Sequence, residues 1–167
     1  MASRPQRTIH QGTAPAAIGP AAPVEGPAVK GAWSGLTVAR FSQLFRSVLE
    51  DRLRPVGLTA AQYLALGLVD HSPGLSNAEL ARELFVTPQT TIRVVQALTD
   101  EGLVSRTPNA RHGRLLETYL TPKGSRVLAG ATPLADAAET EVLAALTPGQ
   151  RDRLLRSLQR CTAGLHR

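Results

Sequence analysis

Cysteine is almost missing from this chain: Cys161 is the only one in 167 residues. No intrachain disulfide and no cysteine-held zinc can form, which fits a reducing compartment. Aromatic residues are also scarce, at 4%, so the 43% apolar fraction must pack mainly through Leu, Val and Ala. That composition favours packed helices over a β-sandwich. No apolar run approaches the ~20 residues of a membrane span. Pro15, Pro20, Pro23 and Pro27 interrupt every candidate for the apolar centre of a signal peptide. The expected location is therefore the cytoplasm. No nucleophile elbow, phosphate loop, carboxylate cluster or metal-ligand spacing is present. Asp70 and His71 are adjacent, but a pair of neighbours is not a catalytic dyad. The expectation is no enzyme, no cofactor and no metal.

Positive charge is plentiful but unevenly placed. The formal net charge is +6, which suits a polyanionic partner. Residues 58–121 nevertheless carry five arginines against six acidic residues. The arginines of this middle segment must act by position, not by bulk charge.

The length suits one domain with a sizeable core. Residues 1–32 are rich in Ala, Pro and Gly and hold almost no large apolar side chain. Such a segment cannot offset the entropy of its own ordering and reads as a disordered tail. Arg4 and Arg7 give it a second reading, an arm for the minor groove. A first helix is predicted from about Ser34 to Leu53, with Leu36, Phe41, Leu44, Phe45, Val48 and Leu53 on one stripe. Pro55 and Gly57 stop it.

Between Thr59 and Thr121 the signals come in a fixed order. Thr59 and Gln62 form a capping box that opens a second helix, which ends near His71-Ser72-Pro73-Gly74. Ser76 and Glu79 form another box and open a third helix, with Leu80, Leu84 and Phe85 facing inward. Thr87-Pro88 opens a fourth, with Thr as N-cap and Pro where its missing N–H costs nothing. Gly102 ends it. Leu103–Thr107 and Leu115–Leu120 read as two strands around the polar tip Asn109–Gly113. The whole is a winged helix-turn-helix, an order of parts that places its last helix in the major groove of DNA.

Thr121-Pro122 opens a fifth helix, and Pro133 inside it predicts a kink. Thr147-Pro148 opens a sixth, with Leu154, Leu155, Leu158, Cys161 and Leu165 on one face. Cys161 on that face reads as a small core residue, with oxidant sensing as the other reading. The first, fifth and sixth helices carry more apolar surface than the winged module needs. Such a surplus is the mark of a dimer interface. Residues 33–57 and 122–167 are therefore expected to form a helical dimerisation region, and 58–121 the DNA-binding domain.

From about Ser34 to Leu165 the chain resembles the MarR family (multiple antibiotic resistance regulators). The resemblance rests on GLTAAQYLAL, on LSNAELARELFVTPQTTIRVVQALTDEGLVSR and on the spacing from Arg114 to Leu120-Thr121-Pro122. It implies a mainly α winged-helix fold with six helices and a small β-wing, intertwined as a homodimer. It also implies binding to a palindromic operator, as a repressor or sometimes an activator, with release by a small aromatic acid or an oxidant. Where the family wing often has Asp-x-Arg, this chain has His112-Gly113-Arg114. A frequent Val-Thr-Arg of the recognition helix is here Thr91-Ile92-Arg93. Members that sense hydroperoxides use a cysteine near the first helix, and none is there.

The candidate DNA contacts are Thr87, Gln89, Thr90, Thr91 and Arg93 on the fourth helix and Arg111 and Arg114 on the wing. Gln suits adenine and Arg suits guanine or a phosphate. Thr hydroxyls and free N–H groups at a helix start suit phosphates. A wing guanidinium suits the narrow minor groove. Ile92 has two readings: contact with a thymine methyl, or core with Thr91 turned outward. His112 is a spacer or a phosphate contact. For an effector between the dimerising helices and the DNA module, Phe41, Phe45, Arg46 and Tyr63 are the candidates, as aromatics with one cation suit an aromatic carboxylate. Trp33 is placed to cover such a pocket or to seal the helix start. Two other functions remain open, a protein-interaction module built on the winged helix and a non-specific architectural DNA-binding protein. Salt dependence separates DNA binding from an apolar protein contact.

Overall fold

The computed structural model describes residues 32–109 and 115–163. The tail, the wing tip with Arg111, His112, Gly113 and Arg114, and Leu165 lie outside the described residues. The elements follow in the order α1 (Ala32–Leu53), a 3-10 turn (Arg54–Val56), α2 (Ala60–His71), α3 (Asn77–Glu83) and α4 (Pro88–Asp100). Then come β1 (Val104–Pro108), β2 (Leu116–Leu120), α5 (Pro122–Val142) and α6 (Pro148–Ala163).

Helix starts are set by short-range hydrogen bonds. Thr59 and Gln62 close a full capping box at α2, and Ser76 and Glu79 close another at α3. At α3 both the backbone N–H and the hydroxyl of Ser76 donate to Glu79 Oε2, at 2.8 and 2.7 Å. These bonds, with Arg82 nearby, hold the Glu79 carboxyl below its ordinary range. Thr87 caps α4 and Thr121 caps α5, each followed by proline in the first turn. Gly102, at φ +69, ends α4 in the left-handed region that favours glycine.

One core joins α1, α2, α4 and α5. Leu49 and Leu53 of α1 pack with Leu128, Ala131, Ala135 and Ala138 of α5, and Leu66 and Leu98 complete the layer. A smaller cluster, Val69, Leu80 and Val95, holds the helix-turn-helix together. The small residues on α5 let α1 lie close along it. Arg52 of α1 adds an ion pair with Glu141 of α5 at 2.6 Å.

The wing is a two-stranded antiparallel ribbon, with Val104 opposite Leu120 and Arg106 opposite Thr118. A third, single bridge joins Leu75 to Thr118. Gly74 N–H donates to Thr118 O, and Thr118 N–H donates to Leu75 O. The loop before α3 is thus hydrogen-bonded to the wing, a link the sequence reading did not contain.

Phe85 and, within the single chain, Cys161 depart from expectation, while Pro133 and the α1 stripe are placed more closely. Pro133 lies inside α5, which runs as one helix from Pro122 to Val142, so any bend there stops short of a break. Proline removes only one ladder bond there, while Ala131, Ala135 and Ala138 stay buried around it. Phe85 does not face inward but is 64% exposed, with φ +52. The tight turn between α3 and α4 forces that position into the left-handed region and turns the ring out of the core. Cys161 is exposed within the single chain. No residue of α6 is buried within the single chain. In α1, Leu36, Val38, Phe41 and Leu44 are likewise exposed, so only the second half of the expected stripe reaches the core.

Candidate nucleic-acid interface

Helix α4 is oriented by three buried side chains, Thr91, Val95 and Leu98. Their spacing turns the opposite face of the helix outward. Gln89, Ile92, Arg93 and Gln96 fall on that face at steps of three and four residues, and all are exposed. Gln96 Nε2 donates to Asp100 Oδ1 at 2.7 Å, which holds its amide along the helix. Among the described residues Arg93 has no ion pair, so its guanidinium is presented to solvent.

Thr91, expected among the DNA contacts, is instead turned into the core. It is 0% exposed and its hydroxyl donates to Thr87 O at 3.3 Å. Ile92, at 53% exposure, takes the outward place. The choice between these neighbours turns on a rotation of about 100° along the helix. The small cluster with Val69 and Leu80 fixes it, through Val95. Gln96 was missed by sequence reasoning, although it lies seven residues after Gln89 and three after Arg93. That periodicity was the available signal.

Thr87 sits at the helix start, exposed, with its oxygen accepting from Thr90 N–H at 3.2 Å. The two hydroxyls are 2.9 Å apart. Pro88 has no N–H and the Thr90 and Thr91 N–H groups already donate to Thr87, so the Gln89 N–H and the positive end of the helix dipole are what suit a phosphate. Behind α4 the wing is tied down by Arg106, whose Nη2 donates to Asn77 Oδ1 at 3.2 Å. Asn109 Nδ2 and Tyr119 Oη both donate to the Glu117 carboxylate, which braces the ribbon near its tip. The same bond to Glu117 raises the Tyr119 hydroxyl above its ordinary value.

A cavity of about 150 Å³ lies where α1 meets the helix-turn-helix. Ser42, Phe45 and Arg46 of α1 form one wall, and Leu84, Val86, Thr90 and Val94 form another. Two of the four residues singled out for an effector, Phe45 and Arg46, are thus brought together. Phe41 stacks on Phe45, with ring centroids 6.5 Å apart, but does not line the cavity. Tyr63 lies on a separate, open groove with Leu68 and His71. The helical steps 42, 45, 46 and 49 were the signal for Ser42 and Leu49. Thr90 carried none, because its place in the wall depends on how α4 docks.

Similarity to known proteins agrees with this geometry. A family model described as MarR family matches residues 56–115. The HTH-type transcriptional repressor Rv2887 of Mycobacterium tuberculosis is 36% identical over 126 residues, covering 75% of this chain and 91% of that protein. The chain belongs to the MarR family. A solved structure of Rv2887 in complex with salicylic acid is similar at a TM-score of 0.65 and 36% identity, over 76% of this chain and 94% of that one. The structure of Rv2887 in complex with DNA matches at 0.63 and 35%, over 76% and 95%. A MarR-family winged helix with an exposed, capped recognition helix is therefore the frame for function. Among the described residues no helix is long and apolar enough to cross a membrane, and no cluster of His, Cys, Asp or Glu could hold a metal.

Proposed function

We propose that this protein is a sequence-specific DNA-binding transcriptional repressor that acts in the cytoplasm as a homodimer on a palindromic operator. The observation that carries this reading is the outward stripe Gln89–Ile92–Arg93–Gln96 on a helix whose opposite face is locked into the core. Gln89 and Gln96 are the groups for adenine, Arg93 for guanine and Ile92 for a thymine methyl. The Thr87 hydroxyl and the Gln89 N–H take a phosphate, and Arg111 and Arg114 extend the contact from the wing. DNA binding by the relative Rv2887 supports the assignment. Selection from a random duplex pool tests it. Enrichment of an inverted repeat with half-sites about one helical turn apart is expected. A pool that stays random, with binding that still falls steeply with salt, would instead make this an architectural DNA-binding protein.

The homodimer reading rests on the apolar faces that one chain leaves open, namely Leu36, Val38 and Leu44 on α1 and Leu155 and Leu158 on α6. Sedimentation at micromolar concentration is expected to give twice the chain mass of 17.7 kDa. A monomer at that concentration contradicts it.

The effector reading is that a small aromatic carboxylic acid enters the cavity beside Phe45 and Arg46 and weakens DNA binding. The wall supplies an aromatic face, an apolar lining and one cation, the chemistry such an acid requires. Salicylic acid bound to Rv2887 supports this class of ligand. Calorimetric titration with salicylate tests it directly.

A further inference from the structure

We propose that Thr90 and Thr87 form a hydroxyl relay through which a ligand in the cavity and a DNA phosphate compete for donors. The proposal rests on the effector reading above and says how the two sites are coupled. Thr90 belongs to the cavity wall and, at the same time, to the first turn of the recognition helix. Its hydroxyl oxygen lies 2.9 Å from that of Thr87, and either can be the donor. Thr87 is exposed at the helix start, and its oxygen already accepts from Thr90 N–H at 3.2 Å.

A threonine hydroxyl has one proton and can accept in two directions. Without ligand, Thr90 O–H donates to Thr87 Oγ1, and Thr87 O–H is left to donate to a phosphate oxygen. A ligand oxygen at Thr90 draws the Thr90 O–H into the cavity. Thr87 O–H then turns inward to donate to Thr90 Oγ1, and the phosphate loses its donor. Both protons stay on their own oxygens, and only the two C–O torsions rotate. The cap itself survives, since Thr87 Oγ1 still accepts from Thr90 N–H in either state. The recognition helix thus remains folded while its phosphate contact is withdrawn. Arg46 and Ser42, on the α1 wall, bring hydrogen-bond donors to the same cavity as Thr90. An acid with two oxygens suits that arrangement, one held at α1 and one reaching the relay.

The test compares wild type with Thr90→Val, which removes the hydroxyl at nearly constant shape, and Thr90→Ser, which restores it. For each protein the duplex Kd is measured with and without saturating sodium salicylate, and salicylate binding is measured by calorimetry. The ratio of the two duplex Kd values is the readout, so any change in basal affinity cancels. Wild type and Thr90→Ser are expected to weaken roughly tenfold or more on adding salicylate, and Thr90→Val by less than about threefold while still binding it. A Thr90→Val protein that binds salicylate and keeps the full ratio overturns the relay and leaves the effector reading intact. Weaker salicylate binding by Thr90→Val is expected, since the Thr90 O–H donates to the ligand, so each ratio is taken at a salicylate concentration that saturates that protein. Failure of wild type to bind salicylate at all sinks the effector reading and the relay together.

Discussion

Gly124, in the first turn of α5, lies directly against Leu103: a Cβ added there would stand 2.0 Å from the Leu103 carbonyl oxygen and 2.9 Å from its carbon. The obstacle is backbone, not a flexible side chain, so it cannot simply swing away. Thr121 helps fix the approach, its N–H donating to Leu103 O and its hydroxyl to Gly102 O at 2.8 Å. Gly124→Ala is therefore expected to destabilise the fold by about 1–3 kcal/mol, the usual cost of overpacking. Gly130→Ala, on the same helix with open space around it, is the control and is expected to be neutral or mildly stabilising. Urea unfolding of both variants decides the matter, and an unchanged midpoint for Gly124→Ala would contradict the packing described.

Phe85 occupies the left-handed region with a large side chain, at φ +52. A bulky residue pays on the order of 1 kcal/mol or more for that conformation, and glycine pays nothing. Phe85→Gly is expected to raise the melting temperature or leave it level, in spite of the lost ring. A large fall in melting temperature would mean that the ring's contacts outweigh the backbone cost.

Glu79 accepts two hydrogen bonds from Ser76 and has a pKa held below its ordinary value of 4.5. A lowered carboxylate pKa in the folded state adds stability that is complete above the ordinary value. It is lost as pH falls through the folded value. Wild type is thus expected to lose the α3 cap in acid. Glu79→Gln still accepts from Ser76 and keeps a cap, but has no charge to lose. Its loss of stability between about pH 5 and pH 3 is expected to be smaller than that of wild type, as other carboxylates titrate equally in both. Parallel unfolding series across that range measure the difference. Identical slopes would remove Glu79 from the account.

Arg93→Ala is expected to cost about 1–3 kcal/mol of binding at the base pair it contacts, with native melting behaviour. The side chain is exposed and belongs to no packed cluster, so folding loses little. Titration against cognate and scrambled duplexes separates base readout from backbone contact. Equal losses on both, with a salt slope reduced by about one, would assign Arg93 to a phosphate instead.

The capping boxes, the Thr-Pro helix starts and the winged order of parts could be read from the chain because each depends on residues within about four positions. Features set by contact between distant segments were not legible. Thr91 and Ile92 exchange roles under one step of helix rotation, and that rotation is fixed by Val69 and Leu80 on other helices. Phe85 looked apolar and hence internal, yet the turn geometry overrides its hydrophobicity. The split of the aromatic candidates, Phe45 to the cavity and Tyr63 to an open groove, depends on how α1 crosses α2. The MarR resemblance gave the architecture, and the recognition face still had to be read from burial.

The bridge from Leu75 to Thr118 bears on how parts of this protein could be exchanged with those of its relatives. The ribbon between Val104 and Leu120 is bonded at its base to the segment that leads into α3, with Arg106 adding a side-chain bond to Asn77. A graft bounded at Asn109 and Leu115 would replace only the tip and leave those bonds in place. One bounded at Val104 and Leu120 would also exchange the partner of Leu75 and would change how the helix-turn-helix is tilted. Chimaeras with the narrow boundary should therefore transfer minor-groove preference alone, while the wide boundary should alter operator spacing as well.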